Sequence, residues 1–134
     1  MKLPTDQQLL TTIYKLHLDD YKQYDTDPSI RETKMYVPIN ITKVAAKLKT
    51  DEDLVFGKLL DDLEHRFGIK NDDGSLRPFF AIKVGKDFHA INFPYMSSVL
   101  AQIKDDNKKY RLATTIAIFA LLISALSISI ALYK

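Results

Sequence analysis

Leu9, Leu10, Ile13, Tyr14, Leu16, His17, Tyr21 and Tyr24 recur at the spacing of one helix face. Thr5-Asp-Gln-Gln8 just ahead of them predicts a capping box, with Thr5 as the cap and Gln8 reaching back. The pattern decays into the polar loop Asp25-Thr-Asp-Pro-Ser29, stopped by Pro28. Tyr36-Val-Pro-Ile-Asn-Ile41 is short and β-like. A second helix is predicted from about Ile41 to Leu48, then a tight turn around Lys49-Thr-Asp51. A third helix runs from about Glu52 to Arg66, with Asp51 as N-cap and Leu54, Val55, Leu59, Leu60 and Leu63 inward. Gly68 stands where a left-handed C′ glycine is expected. Asn71-Asp-Asp-Gly-Ser75 reads as a turn. Phe79 to Val84 and Phe88 to Phe93, either side of Gly85-Lys86, predict a β-hairpin that Pro94 ends. A last helix is expected from near Tyr95.

The pattern then changes character. Leu112 to Leu132 contains no charged residue. As a helix it would extend roughly 30 Å, the thickness of a hydrocarbon core, so it predicts a single transmembrane helix. Its hydroxyls (Thr114, Thr115, Ser124, Ser127, Ser129) can bond back to the helix's own carbonyls. Lys104, Lys108, Lys109 and Arg111 precede it and only Lys134 follows, so the N-terminal domain is expected in the cytoplasm. The segment reads as a tail anchor bracketed by Tyr110 and Tyr133. The expected organisation is a soluble domain over 1–95, a juxtamembrane helix over 96–111 and a transmembrane helix over 112–132.

Composition narrows the rest. There is no cysteine, so no disulfide framework or thiolate zinc site exists. The net charge of +2 signals no general attraction to nucleic acid. His17, His65 and His89 are isolated and read as surface or half-buried side chains, not metal ligands. Asn71-Asp-Asp-Gly lacks the alternating acids and closing Glu of a calcium loop. No phosphate loop or nucleophile motif is present, and no enzyme, metal or cofactor is expected.

The order helix, short strand, helix, turn, helix, hairpin over residues 36 to 93 resembles a winged helix-turn-helix domain. Ile39, Val44, Ala45, Leu48, Val55, Leu59 and Leu63 look like that family's apolar ladder, with Ala45 as the small residue at the helix crossing. The fold class implied is mainly α with a small β-hairpin (α+β), followed by the membrane helix. In DNA-binding members the third helix enters the major groove. Here it carries six carboxylates against Lys58 and Arg66, which would repel phosphates. Asp51, Glu52, Asp53, Lys58, Asp61 and Asp62 are therefore expected to bind a protein partner, a basic one, and nucleic acid is disfavoured. Lys83, Lys86 and Arg77 on or before the hairpin keep a membrane-bound transcriptional regulator as an alternative. A small toxin- or defence-type membrane effector is another.

Within the membrane helix, Ala113, Ala117, Ala120, Ser124, Ser127 and Ala131 repeat at spacings of 4, 3, 4, 3 and 4. Small residues let helix backbones approach closely in lipid, so this seam predicts a homo-oligomer. Upstream, Met96, Leu100 and Ile103 continue the spacing but are expected to pack on the soluble domain; Asn107 could set register in a short coiled coil.

Overall fold

The computed structural model describes residues 3–133. It is mostly helical, with a small antiparallel sheet and one long C-terminal apolar helix. Two compact units divide between Leu100 and Ala101.

The first unit begins with α1 (Asp6–Gln23). Both halves of its capping box form: the Thr5 hydroxyl accepts from Gln8 N at 3.1 Å, and Gln8 Oε1 accepts from Thr5 N at 2.9 Å. Strand β1 (Tyr36–Pro38) leads into α2 (Ile41–Leu48), whose Asn40 cap accepts from Lys43 N at 2.9 Å. Lys49 ends α2 in the left-handed region, with φ 54°. Glycine usually takes that conformation because a side chain crowds the backbone there.

The third helical rod has three parts: α3 (Glu52–Gly57), a π-helical stretch (Lys58–Leu63) and α4 (Glu64–Phe67). The sequence pattern did not reveal the π stretch. Its wider turn lets Val55, Leu59 and Leu63, each four residues apart, stay in line on the core side. In that phase Leu54 turns outward, 41% exposed, and Leu60 is half-buried, where the sequence predicted both inside. Gly68 is also corrected. Its φ of −59° is not left-handed. A Cβ there would lie 2.6 Å from the Glu64 carbonyl oxygen, so glycine is required by close approach.

Beyond it, β2 (Ile69–Lys70) and β3 (Leu76–Arg77) form a two-residue ladder around the Asn71–Ser75 turn. Strands β4 (Phe80–Val84) and β5 (Asp87–Asn92) make the hairpin, and β5 pairs with β1, giving the order β1-β5-β4. Pro38 has no N–H to offer on the outer edge of β1, and Thr33 takes the Tyr36 N–H at 3.0 Å. The edge is thereby blunted against further pairing. Helix α5 (Phe93–Leu132) starts two residues earlier than expected, because Pro94 fits a first helical turn. Asn92 supplies a cap that accepts from Tyr95 N at 3.3 Å.

Leu9, Leu10, Ile13, Val37, Val44, Leu59, Leu63, Phe79, Phe80, Ile91, Phe93 and Met96 form the core. Phe93 stacks on Tyr21 and Tyr14 with ring centroids 4.9 and 5.5 Å apart. Met96, Val99 and Leu100 are buried here, which carries the first unit five residues past the boundary drawn at 95. The second unit, Ala101–Lys134, contains the remainder of α5, which ends at Leu132. The unit's described residues are all exposed except Ile103, which is half-buried.

Candidate functional site

The acidic helix face is less bare than its composition suggests. Asp51 is the N-cap of α3, its Oδ1 accepting from Asp53 N at 2.8 Å. Glu52 Oε2 accepts from the Thr42 hydroxyl at 2.6 Å and so ties α3 to the first turn of α2. Lys58 and Asp62 belong to an ion network with Asp6 and Arg66. Lys58 Nζ lies 2.9 Å from Asp6 Oδ1 and also meets Asp62, while Arg66 reaches Asp6 at 2.7 Å and Asp62 at 2.8 Å. Burial alone would raise the Asp6 carboxyl, but hydrogen bonds and charge from Lys58 and Arg66 outweigh it and hold the group below its usual range. Hydrogen bonds from the same two cations lower Asp62. Among the described residues, only Asp53 and Asp61 of the predicted acidic set have carboxylates outside these bonds, and both are exposed. The six predicted positions therefore divide into a cap (Asp51), a tie to α2 (Glu52), two members of a structural network (Lys58, Asp62) and two open acids (Asp53, Asp61).

An open cleft of about 890 Å³ lies beside the head of α3. Its polar lining includes His17 and Asp20 from α1, Arg31, Asn40, Lys43 and His89. His17 is 6% exposed, more buried than its sequence suggested. Its Nδ1 is 2.9 Å from Asp20 Oδ2, and its Nε2 accepts from Asn40 N at 3.2 Å. Both nitrogens are engaged, so the ring serves as a strut between α1 and the start of α2. Its place in the apolar rhythm of α1 was the one sign of burial.

Arg31 had no such sign. It is 8% exposed and donates to the carbonyls of Asp20 at 2.9 Å, Tyr21 at 3.2 Å and Lys34 at 2.8 Å. Two of these belong to the last turn of α1, where carbonyls lack helical partners and favour a cation. Burial draws its pKa down. His89 sits in β5 at φ 51°, and its pairing with Ile82 across the hairpin is skipped. Its ring lies 5.3 Å from that of Phe56 and 6.4 Å from that of Phe80. Among the described residues, no group of three or more His, Asp or Glu side chains could hold a metal. The cleft can offer Asp53, Lys43 and the Phe56 ring to a polar partner.

The residues of the expected membrane helix stand in the second unit. Ala113, Ala117, Ala120, Ser124, Ser127 and Ala131 are all exposed. Ser124 and Ser127 donate to the carbonyls of Ala120 and Ile123, each at 2.9 Å, and Ser129 to that of Ala125 at 3.1 Å. The helix thus satisfies these hydroxyls internally. Lys104, Lys108, Lys109 and Arg111 are exposed, with Lys109 paired to Asp105 at 3.0 Å. Lys134 lies outside the described residues. Among the described residues, one helix is long and apolar enough to cross a membrane by length and composition. Comparison with protein-family models, curated proteins and solved structures gave no match to this chain.

Proposed function

We propose that this chain is a non-catalytic, single-pass membrane protein that displays a winged-helix protein-interaction module in the cytoplasm and self-associates through its membrane helix. The observation that carries the reading is the exposure of every apolar side chain from Leu112 to Leu132. Water does not tolerate so large a continuous apolar surface, whereas a bilayer requires it. The module reading is supported by the order of elements and by the sheet order β1-β5-β4. The buried ladder Ile39, Val44, Ala45, Val55, Leu59 and Leu63 supports it too. The partner is a basic protein surface that meets the third helical rod, where Asp53 near its head and Asp61 in its π-helical stretch keep open carboxylates.

The test uses the full chain in bilayers, with a reporter fused after Lys134. Resistance to alkaline extraction is expected, and in inside-out vesicles the reporter should be protected from protease while the N-terminal domain is digested. A reporter on the same side as the domain overturns the orientation, and extraction at high pH overturns the anchor. For association, energy transfer between labelled chains should fall in the double variant Ala120→Ile with Ser124→Ile, because bulky residues hold helix backbones apart. The matching variant Ile116→Ala with Ile123→Ala should keep it. Equal behaviour of the two would make the seam a coincidence of composition.

A further inference from the structure

The second unit carries two patterns on opposite sides of one helix. Residues 101–132 are α-helical throughout. At about 100° per residue, Lys104, Lys108 and Arg111 fall within about 60° of one another. All three are exposed. The other charges of this segment are directed elsewhere: Lys109 is paired with Asp105, and Asp106 accepts from Gln102 at 2.9 Å. Followed along the helix, the basic line runs into Phe119, Leu122 and Leu126, the bulky side. The seam of Ala and Ser is centred roughly 180° away.

We propose that Lys104, Lys108 and Arg111 form a stripe that binds the phosphate groups of anionic lipids. The proposal rests on the anchoring reading given above. Arg111 immediately precedes the apolar run, and Lys104 lies about 10 Å farther along the axis, so the stripe covers the depth of a headgroup layer. Long basic side chains keep their stems along apolar surface while the charged ends meet phosphate. A zwitterionic lipid cancels its own phosphate charge with its amine; an anionic lipid leaves it open to the stripe. Because the seam lies on the far side, self-association leaves the stripe facing lipid. The anchor would thus select its surrounding lipids while its other face selects a second copy.

The experiment is electron spin resonance of spin-labelled lipids around the full chain reconstituted in bilayers. Spin-labelled phosphatidylserine should be held at the protein surface several-fold more than phosphatidylcholine, and high salt should weaken that preference. The triple variant Lys104→Gln, Lys108→Gln, Arg111→Gln should bring the two lipids close to parity. The charge-neutral double variant Asp105→Asn with Lys109→Gln should keep the selectivity. Parity in the unaltered chain, or undiminished selectivity in the triple variant, overturns the stripe. Absence of any immobilised lipid, of either kind, overturns the anchor itself.

Discussion

Phe79 in the first unit is 0% exposed, and Phe119 in the second is 63% exposed. The first sits among neighbouring rings, 5.5 Å from Phe67 and 5.6 Å from Tyr95. The second is covered in part by its own helix alone and is otherwise open. The two units thus place apolar residues in different surroundings. In residues 3–100 helices and sheet bury their apolar faces against one another, and polar groups must find partners inside the fold. In residues 101–133 the helix satisfies its own backbone and hydroxyls, and the apolar surface is left exposed. The residue type is the same; what differs is whether other elements of the chain surround it.

The largest expected effect separates these environments directly. Phe79→Ala should destabilise the first unit by about 3–5 kcal/mol, through lost burial and the cavity left behind. Phe119→Ala should leave that unfolding transition in place. Thermal unfolding of the full chain, followed by near-ultraviolet circular dichroism, measures both. Equal losses would erase the distinction between the units.

A smaller effect tests how tightly the first unit is packed. Gly68→Ala would press a methyl group on the Glu64 backbone and on its carboxylate. That carboxylate accepts from Phe79 N at 2.7 Å and Phe80 N at 2.8 Å, so the start of β4 would shift with it. We expect a loss of about 1–3 kcal/mol in denaturant unfolding, the usual scale for overpacking.

Acid tests the ion network. The folded-state pKa values of Asp6 and Asp62 lie below the ordinary value of 3.8. Their contribution is therefore present in full above that value and is lost as pH falls below it, through the lowered folded values. A melting series from pH 6 to pH 2 should show a steeper acid limb for the unaltered chain than for Asp6→Asn with Asp62→Asn. Parallel curves would mean that the network adds nothing to the fold.

The smallest expected effect is a gain. Lys49 holds φ 54° where glycine is at ease. Lys49→Gly should raise stability by about 0.5–1 kcal/mol, relief of left-handed strain being partly offset by glycine's greater freedom when unfolded. A lower melting temperature would show that Lys49 has a favourable role there.

Much of the architecture was legible because it is decided within a few residues. The Thr5–Gln8 capping box, the Asp51 cap, the Gly85 hairpin turn and the apolar ladder of α2 all depend on neighbours in sequence. The apolar run of α5 was legible for the same reason, since length and absence of charge suffice to define a span. The errors at Leu54 and Gly68 arose where a helix departs from ideal geometry, which periodicity assumes and cannot report. The candidate site was read only in part. Asp51 to Asp53 stood out by composition, but the role of Asp62 depends on Asp6 and Arg66, residues 60 positions apart in sequence.

The amino-acid sequence alone determined the local elements, the two hydrophobic regimes and the charge asymmetry around the apolar helix, because each follows from short-range spacing. Only the tertiary structure decided that Arg31 closes α1, that His17 is a strut with both nitrogens engaged, and that most of the acidic helix face is already bonded. Those outcomes depend on which distant groups are brought within hydrogen-bonding distance. A buried polar atom must take whichever partner the fold brings near, and spacing along the chain does not encode that partner.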